Sequence, residues 1–363
     1  MNIYTLLVAL VLVTALLMQG YRQGNKKYVI VACLLLFAVY GLRDTYVIGN
    51  DARSSYLHGF EKMADRTWQE LINSENQFNM GYTLLNKLVY DLSGGNYQLF
   101  VSLIAAFVTI CFGVLIYRYS PNPLASILYH FGLLLYIFHF DSLKQSIAMA
   151  FLMLAFIQID KRRLIPFVLI TLTAAQFHFP AIVFLPAYWI AKLKPGRYYL
   201  ILLAVMLLLT YRFRGQLLSW MMSMYKDEDI SNISTEGVGF LRTKALIMTV
   251  IVVAAILFRK PKAEDRVYSI LLEFMGIAIV FQTFCGYNNI FERLADYYFQ
   301  FSVIFIPMVF DKSADREPLF GWRFMSVIDT LAPYLFCGFG IYRFIRLASN
   351  SQFFSPYKFF FQS

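Results

Sequence analysis

Apolar residues in this chain form long runs of about 15–25 positions, separated by short segments that hold nearly all of the charge. The runs fall near residues 3–20, 28–42, 98–117, 123–139, 142–159 and 164–191. Others fall near 198–211, 243–258, 267–284, 293–310 and 324–345. None shows the period-two alternation of a barrel strand, and lipid offers no partner for free backbone groups, so the runs predict helices. The expected architecture is an all-α, polytopic integral membrane protein with about 11–12 transmembrane helices. It would form a single transmembrane domain over residues 1–363, with outward-facing loops near 43–97 and 212–242. The first residues, Met1–Leu7, lack a basic n-region and read as a retained first span.

One run breaks the alternation. Residues 164–191 are long for one helix and short for two, and basic residues flank both ends. If both ends face the cytoplasm the run must be a helical hairpin, with its turn at Gln176-Phe-His-Phe-Pro180, where Pro180 disfavours helix. A single helix kinked at Pro180 is the competing reading.

Composition sharpens the membrane assignment. Hydrophobic residues make up 59% of the chain and charged residues only 15%, against roughly a quarter in soluble proteins. The net charge of +10 does not mark a nucleic-acid surface. Its basic residues sit in clusters between runs, such as Arg22, Lys26 and Lys27, or Lys161-Arg162-Arg163. That is the positive-inside pattern, and it orients the N-terminus and the two polar segments outward. Four cysteines stand singly with no CxxC, which argues against a metal cluster or disulfide framework. No P-loop, dinucleotide fingerprint, HExxH or GxSxG occurs, so nucleotide-driven pumping and the hydrolase classes lack their minimal signatures.

What remains is charge at the outward boundary. Arg43, Asp44, Asp51 and Arg53 follow the second run, and Asp141, Lys144 and Gln145 open the fifth. His178 marks the break, Arg212 and Arg214 end a later run, and Glu292, Arg293 and Asp296 open another. Cations on that side run against the topological bias, and an anionic ligand such as a pyrophosphate explains them. Asp141 with Lys144, and Arg293 with Asp296, are also spaced for plain i,i+3 ion pairs. Asp51 and His178 are the two candidate general bases, and His178 among Phe177, Phe179 and Pro180 fits a packing role equally well.

These segments resemble the EpsG-like group of Wzy-type polysaccharide polymerases. The resemblance is carried by Gly41-Leu-Arg-Asp, Gly49-Asn-Asp51, Tyr56, Phe78-Asn-Met-Gly-Tyr82 and Leu88. It continues in Phe140-Asp-Ser-Leu-Lys-Gln-Ser-Ile-Ala148, Phe177-His178, Arg293 and Tyr297-Tyr298, so it spans roughly Gly41 to Tyr298. The chain departs from the family pattern at Lys144-Gln145, where Arg-Gln is usual, and at Gly49-Asn50-Asp51, where Gly-Thr-Asp is usual. Lysine keeps the charge at 144 but loses the bidentate fork.

The resemblance implies a metal-independent glycosyltransferase without cofactors. It would join undecaprenyl-pyrophosphate-linked oligosaccharide repeats into an O-antigen, capsule or exopolysaccharide, on the outer face of a bacterial inner membrane. Arg43, Arg53, Lys144, Gln145, Arg212, Arg214, Arg293 and Tyr297 would then contact pyrophosphate or glycan, and Asp51 or His178 would take the acceptor proton. Membrane lipid and a chain-length regulator of the same pathway are the implied partners. The alternative is a transporter or flippase of the same lipid-linked oligosaccharide, which would also use cations and a broken helix.

Overall fold

The computed structural model describes residues 2–73, 79–193, 199–213, 215–216, 243–258, 265–282, 290–311 and 323–362. Among them the fold is helical throughout, and its strand-like feature is one isolated antiparallel bridge between Arg43 and Phe359. The chain divides into two compact units. One comprises Met1–Ile182 with Ser326–Ser363, the other Val183–Met325.

The first unit begins with α1 (Ile3–Met18) and α2 (Lys26–Gly41), which pack side by side. Short helices α3 (Leu57–Glu61) and α4 (Trp68–Ile72) precede α5 (Met80–Ser93) and α6 (Tyr97–Tyr119). Then come α7 (Pro123–Gly132), α8 (Leu135–Phe138), α9 (Leu143–Asp160) and α10 (Leu164–Phe177). Asparagines open four of these helices. The side chains of Asn2, Asn25, Asn96 and Asn122 each accept a first-turn backbone N–H, as an N-cap requires. The Trp68–Ile72 stretch is one helical turn opened by a Thr67/Glu70 capping box, with Leu71 turned inward.

Among the described residues, α6 and α9 are both long and apolar enough to cross a bilayer, and further apolar helices such as α1 and α10 are shorter. The expected break at Gln176–Pro180 is present. Helix α10 ends at Phe177, His178 is extended, and a 3₁₀ turn follows over Phe179–Phe184. The chain passes into the second unit there, at Val183. Two interruptions were not expected. The run at 123–139 divides at Leu133–Leu134, where Leu134 takes a left-handed φ of 62°, and the run at 293–310 divides between Phe299 and Ser302.

The last helix, Arg323–Asn350, runs past its predicted end and crosses α7 at Gly340 and Gly132. A Cβ on Gly340 would lie 2.7 Å from the Gly132 Cα, so only glycine permits this approach. The aromatic tail beyond it folds back onto the end of α2. Tyr357 Oη donates to the Val39 carbonyl and Phe360 N–H to the Leu42 carbonyl, at 2.8 and 3.0 Å. Tyr4 Oη reaches the Phe354 carbonyl at 2.9 Å, so both termini of the unit meet at this corner. Tyr4, Tyr40, Tyr136, Phe140, Phe344 and Phe354 pack there edge-to-face or stacked.

In the second unit, helix Arg266–Gln282 packs against Ile290–Phe299 and Thr243–Phe258. Its core is aromatic, with Tyr298 against Phe184, Phe274 and Phe281 and donating to the Val183 carbonyl.

Candidate active site

The charge cluster after α2 lies at the corner that the tail covers. Its backbone is tied to α6 and to the tail. Gln98 and Ser102 of α6 both donate to the Gly41 carbonyl, at 2.9 and 2.7 Å, satisfying an orphan acceptor at the end of α2. Thr45 donates to Gln98 from both its N–H and its hydroxyl. The buried Tyr97 hydroxyl donates to the Ala52 carbonyl. From the tail, the carbonyls of Lys358 and Phe353 accept the N–H groups of Asp44 and Gly49.

Arg43 is a further tie, and its placement differs from a surface phosphate ligand. It is fully buried. Nη1 donates to the Tyr40 carbonyl at 2.6 Å and Nη2 to the Phe140 carbonyl at 2.7 Å. The guanidinium also sits 4.6 and 5.0 Å from the Phe140 and Tyr40 ring centres. A planar fork suits this pairing of carbonyls and ring faces, and a lysine would not. In this fold Arg43 joins the end of α2 to the turn before α9.

Asp141 continues the tie. Its carboxylate accepts the Asn50 N–H. Burial raises the Asp141 carboxyl above its ordinary range, while the Asn50 N–H and the Arg43 charge pull the other way. Gly49 has a φ of 104°, and a Cβ there would lie 2.9 Å from Ala52 Cβ and 3.1 Å from the Phe140 carbonyl. Both the backbone and the close approach therefore demand glycine in the Gly49-Asn50-Asp51 motif.

The corner so held presents Asp51 and Arg53 at one turn of π-helix, Ala52–Tyr56. Asp51 is half-buried and accepts from the Asn50 side chain at 3.2 Å. Arg53 is exposed, with its guanidinium 5.5 Å from the Phe353 ring of the tail. Lys144, half-buried on the first turn of α9, places its ammonium 5.2 Å from the Tyr82 ring and 6.0 Å from the Tyr56 ring. Gln145 beside it is buried.

Tyr82 leads to the helix break. Asn79, left-handed at φ 61°, accepts the Phe179 N–H through its side chain at 3.0 Å. A Cβ on Gly81 would lie 2.9 Å from Gln176 Cβ. The Asn79-Met-Gly-Tyr82 motif thus docks on Gln176–Phe179 and fixes the backbone around half-buried His178. The structure brings Arg43, Asp51, Arg53, Lys144, Gln145 and His178 into one unit, linked through Asp141, Tyr56 and Tyr82.

The other expected residues belong to the second unit. Arg212 is exposed, with its guanidinium 5.7 Å from the Phe213 ring. Arg293 is exposed, Tyr297 is fully buried, and Arg214 lies outside the described residues. Asp296 does not depend on Arg293 for a partner. Glu292 and Asp296, one turn apart, both accept from Lys244, at 3.0 Å for Glu292. This triad was not foreseen, although a lysine opening an apolar run is a signal for it. The Tyr97 and Gln98 contacts were also missed, because ordinary aromatic and amide residues carry no mark in a single sequence.

Fold and site together describe a helical protein in which, among the described residues, α6 and α9 are long and apolar enough to cross a membrane and a charged corner sits at the end of α2. The EpsG family model matches residues 26–359, nearly the whole chain, and the chain belongs to the EpsG family. No curated protein and no solved structure matches it.

Proposed function

We propose that this protein polymerises polyprenyl-pyrophosphate-linked oligosaccharide repeats at the outer face of a bacterial inner membrane, with about 11–12 spans as its apolar runs suggest. The observation that carries the reading is the corner itself. Asp51 and Arg53 stand at one π-helical turn beside Lys144, and hydrogen bonds from α6, the tail, Arg43 and Asp141 hold the loop that carries it. Preorganised charge is worth most where charge develops in a reaction, and here that is the leaving pyrophosphate.

An acceptor hydroxyl attacks the anomeric carbon of the donor glycan, forming a new glycosidic bond. The bond from that carbon to the pyrophosphate oxygen breaks, and polyprenyl pyrophosphate leaves with the electron pair. Asp51 or His178 takes the hydroxyl proton. Arg53 and Lys144 face the anionic leaving group, while Arg43 positions the loop that carries them. Exposed Arg293 is a further candidate for an anionic ligand.

Surface polysaccharide ladders from a deletion strain complemented with Asp51→Asn, His178→Ala or Lys144→Ala test the assignment. Single-repeat glycolipid without higher bands is expected for Lys144→Ala and for whichever of Asp51 and His178 is the base. Full ladders in all three variants would remove this corner from the chemistry.

A further inference from the structure

An apolar groove runs along the seam of α2 and α6. It measures about 480 Å³, within the range of ligand pockets, and runs from Lys26 to Phe37 on α2 and from Tyr117 to Ala106 on α6. We infer that this groove holds one acyl chain of an anionic phospholipid, with the headgroup phosphate against Lys26.

The shape comes from small residues at the seam. Gly113 approaches Cys33 so closely that a Cβ would lie 2.7 Å from its sulfur, and the Cys33 thiol reaches the Thr109 carbonyl at 3.7 Å. The helices therefore meet deeply at the floor. Larger side chains at the rim, Ile110 and Tyr117 among them, stand exposed on the outer surface. The helix from Lys26 to Phe37 rises about 16 Å, close to half of a ~30 Å hydrocarbon core. That is the depth reached by a chain from one leaflet.

The charge at the mouth selects the headgroup. Lys26 lines the groove, and no hydrogen bond or ion pair to its side chain is found among the described residues. Lys27 follows it, Arg22 precedes it, and Arg118 adjoins Tyr117, all exposed. The first turn of α2 has no acidic residue, so its positive dipole end adds to these cations rather than offsetting them. Such a cluster beside an apolar channel attracts anionic lipid. The groove opens at the end of α2 opposite Arg43, which separates this site from the proposed substrate corner.

The test uses the purified full-length protein in nanodiscs, with phosphatidylglycerol or phosphatidylcholine carrying a diazirine on one acyl chain. Crosslinks are mapped by mass spectrometry. The phosphatidylglycerol probe should label 29–37 and 106–117, and Lys26→Gln should reduce that labelling about fivefold. Ile110→Trp, a substitution on the lipid-facing rim, should fill the groove and remove the labelling while leaving polymer ladders intact. Equal labelling by both probes, or labelling that survives Ile110→Trp, would overturn the inference. Displacement of the phosphatidylglycerol probe by equimolar polyprenyl phosphate would also overturn it, by assigning the groove to an isoprenoid chain.

Discussion

Replacing Arg43 by alanine should unfold the corner as well as stop polymer growth. The side chain satisfies two buried carbonyls through charge-assisted bonds, each worth about 1.5–3 kcal/mol. Removing it also leaves those acceptors orphaned in a dry site, so a loss of about 3–5 kcal/mol is expected, similar to breaking a buried ion pair. Arg43→Lys should rescue little, because an ammonium cannot reach both carbonyls as a fork and loses the stacking on Phe140. Thermal unfolding of the detergent-purified variants, with limited proteolysis of 44–56 and of the tail, reads the effect. A variant with wild-type stability and no polymer would instead make Arg43 a substrate ligand.

Lys244→Met should be the most damaging change in the second unit. It leaves Asp296, 2% exposed, and Glu292 without their cation. An uncompensated buried charge typically costs about 3–5 kcal/mol. The triple variant Lys244→Met, Glu292→Gln, Asp296→Leu should recover most of that loss, since a well-packed apolar replacement of an ion pair is often neutral. Unfolding temperatures of the single and triple variants decide the matter. A triple variant as unstable as the single would show that the cost arises from packing of the lysine stem on Phe299, whose ring its ammonium approaches to 5.5 Å.

Much of this architecture was legible in the chain. Apolar runs located the helices, and Pro180 marked the break after Phe177. The charged stretch from Arg43 to Arg53 was found as a cluster because charge is rare elsewhere. The direction in which each charge points was not legible. Arg43 turns inward because the Phe140 carbonyl, 97 residues away, lies within its reach, and that depends on how α2 meets the turn before α9. The same holds for Lys244, whose partners arrive from a helix 48 residues later. At the interruption after Gly132 the left-handed φ falls on Leu134 rather than on the glycine, so residue type did not mark the place. Nor does the tail's aromatic composition announce that its backbone groups serve the loop of Leu42–Gly49.

The central claim is that this corner makes glycosidic bonds. The direct measurement is product analysis with the purified protein in liposomes that contain lipid-linked repeat units and no other protein. The account predicts glycans of two or more repeats on one lipid, with one polyprenyl pyrophosphate released for each repeat added, and neither product from an Arg53→Ala, Lys144→Ala double variant. Repeat units that stay single, or that only move from one leaflet to the other, would contradict it.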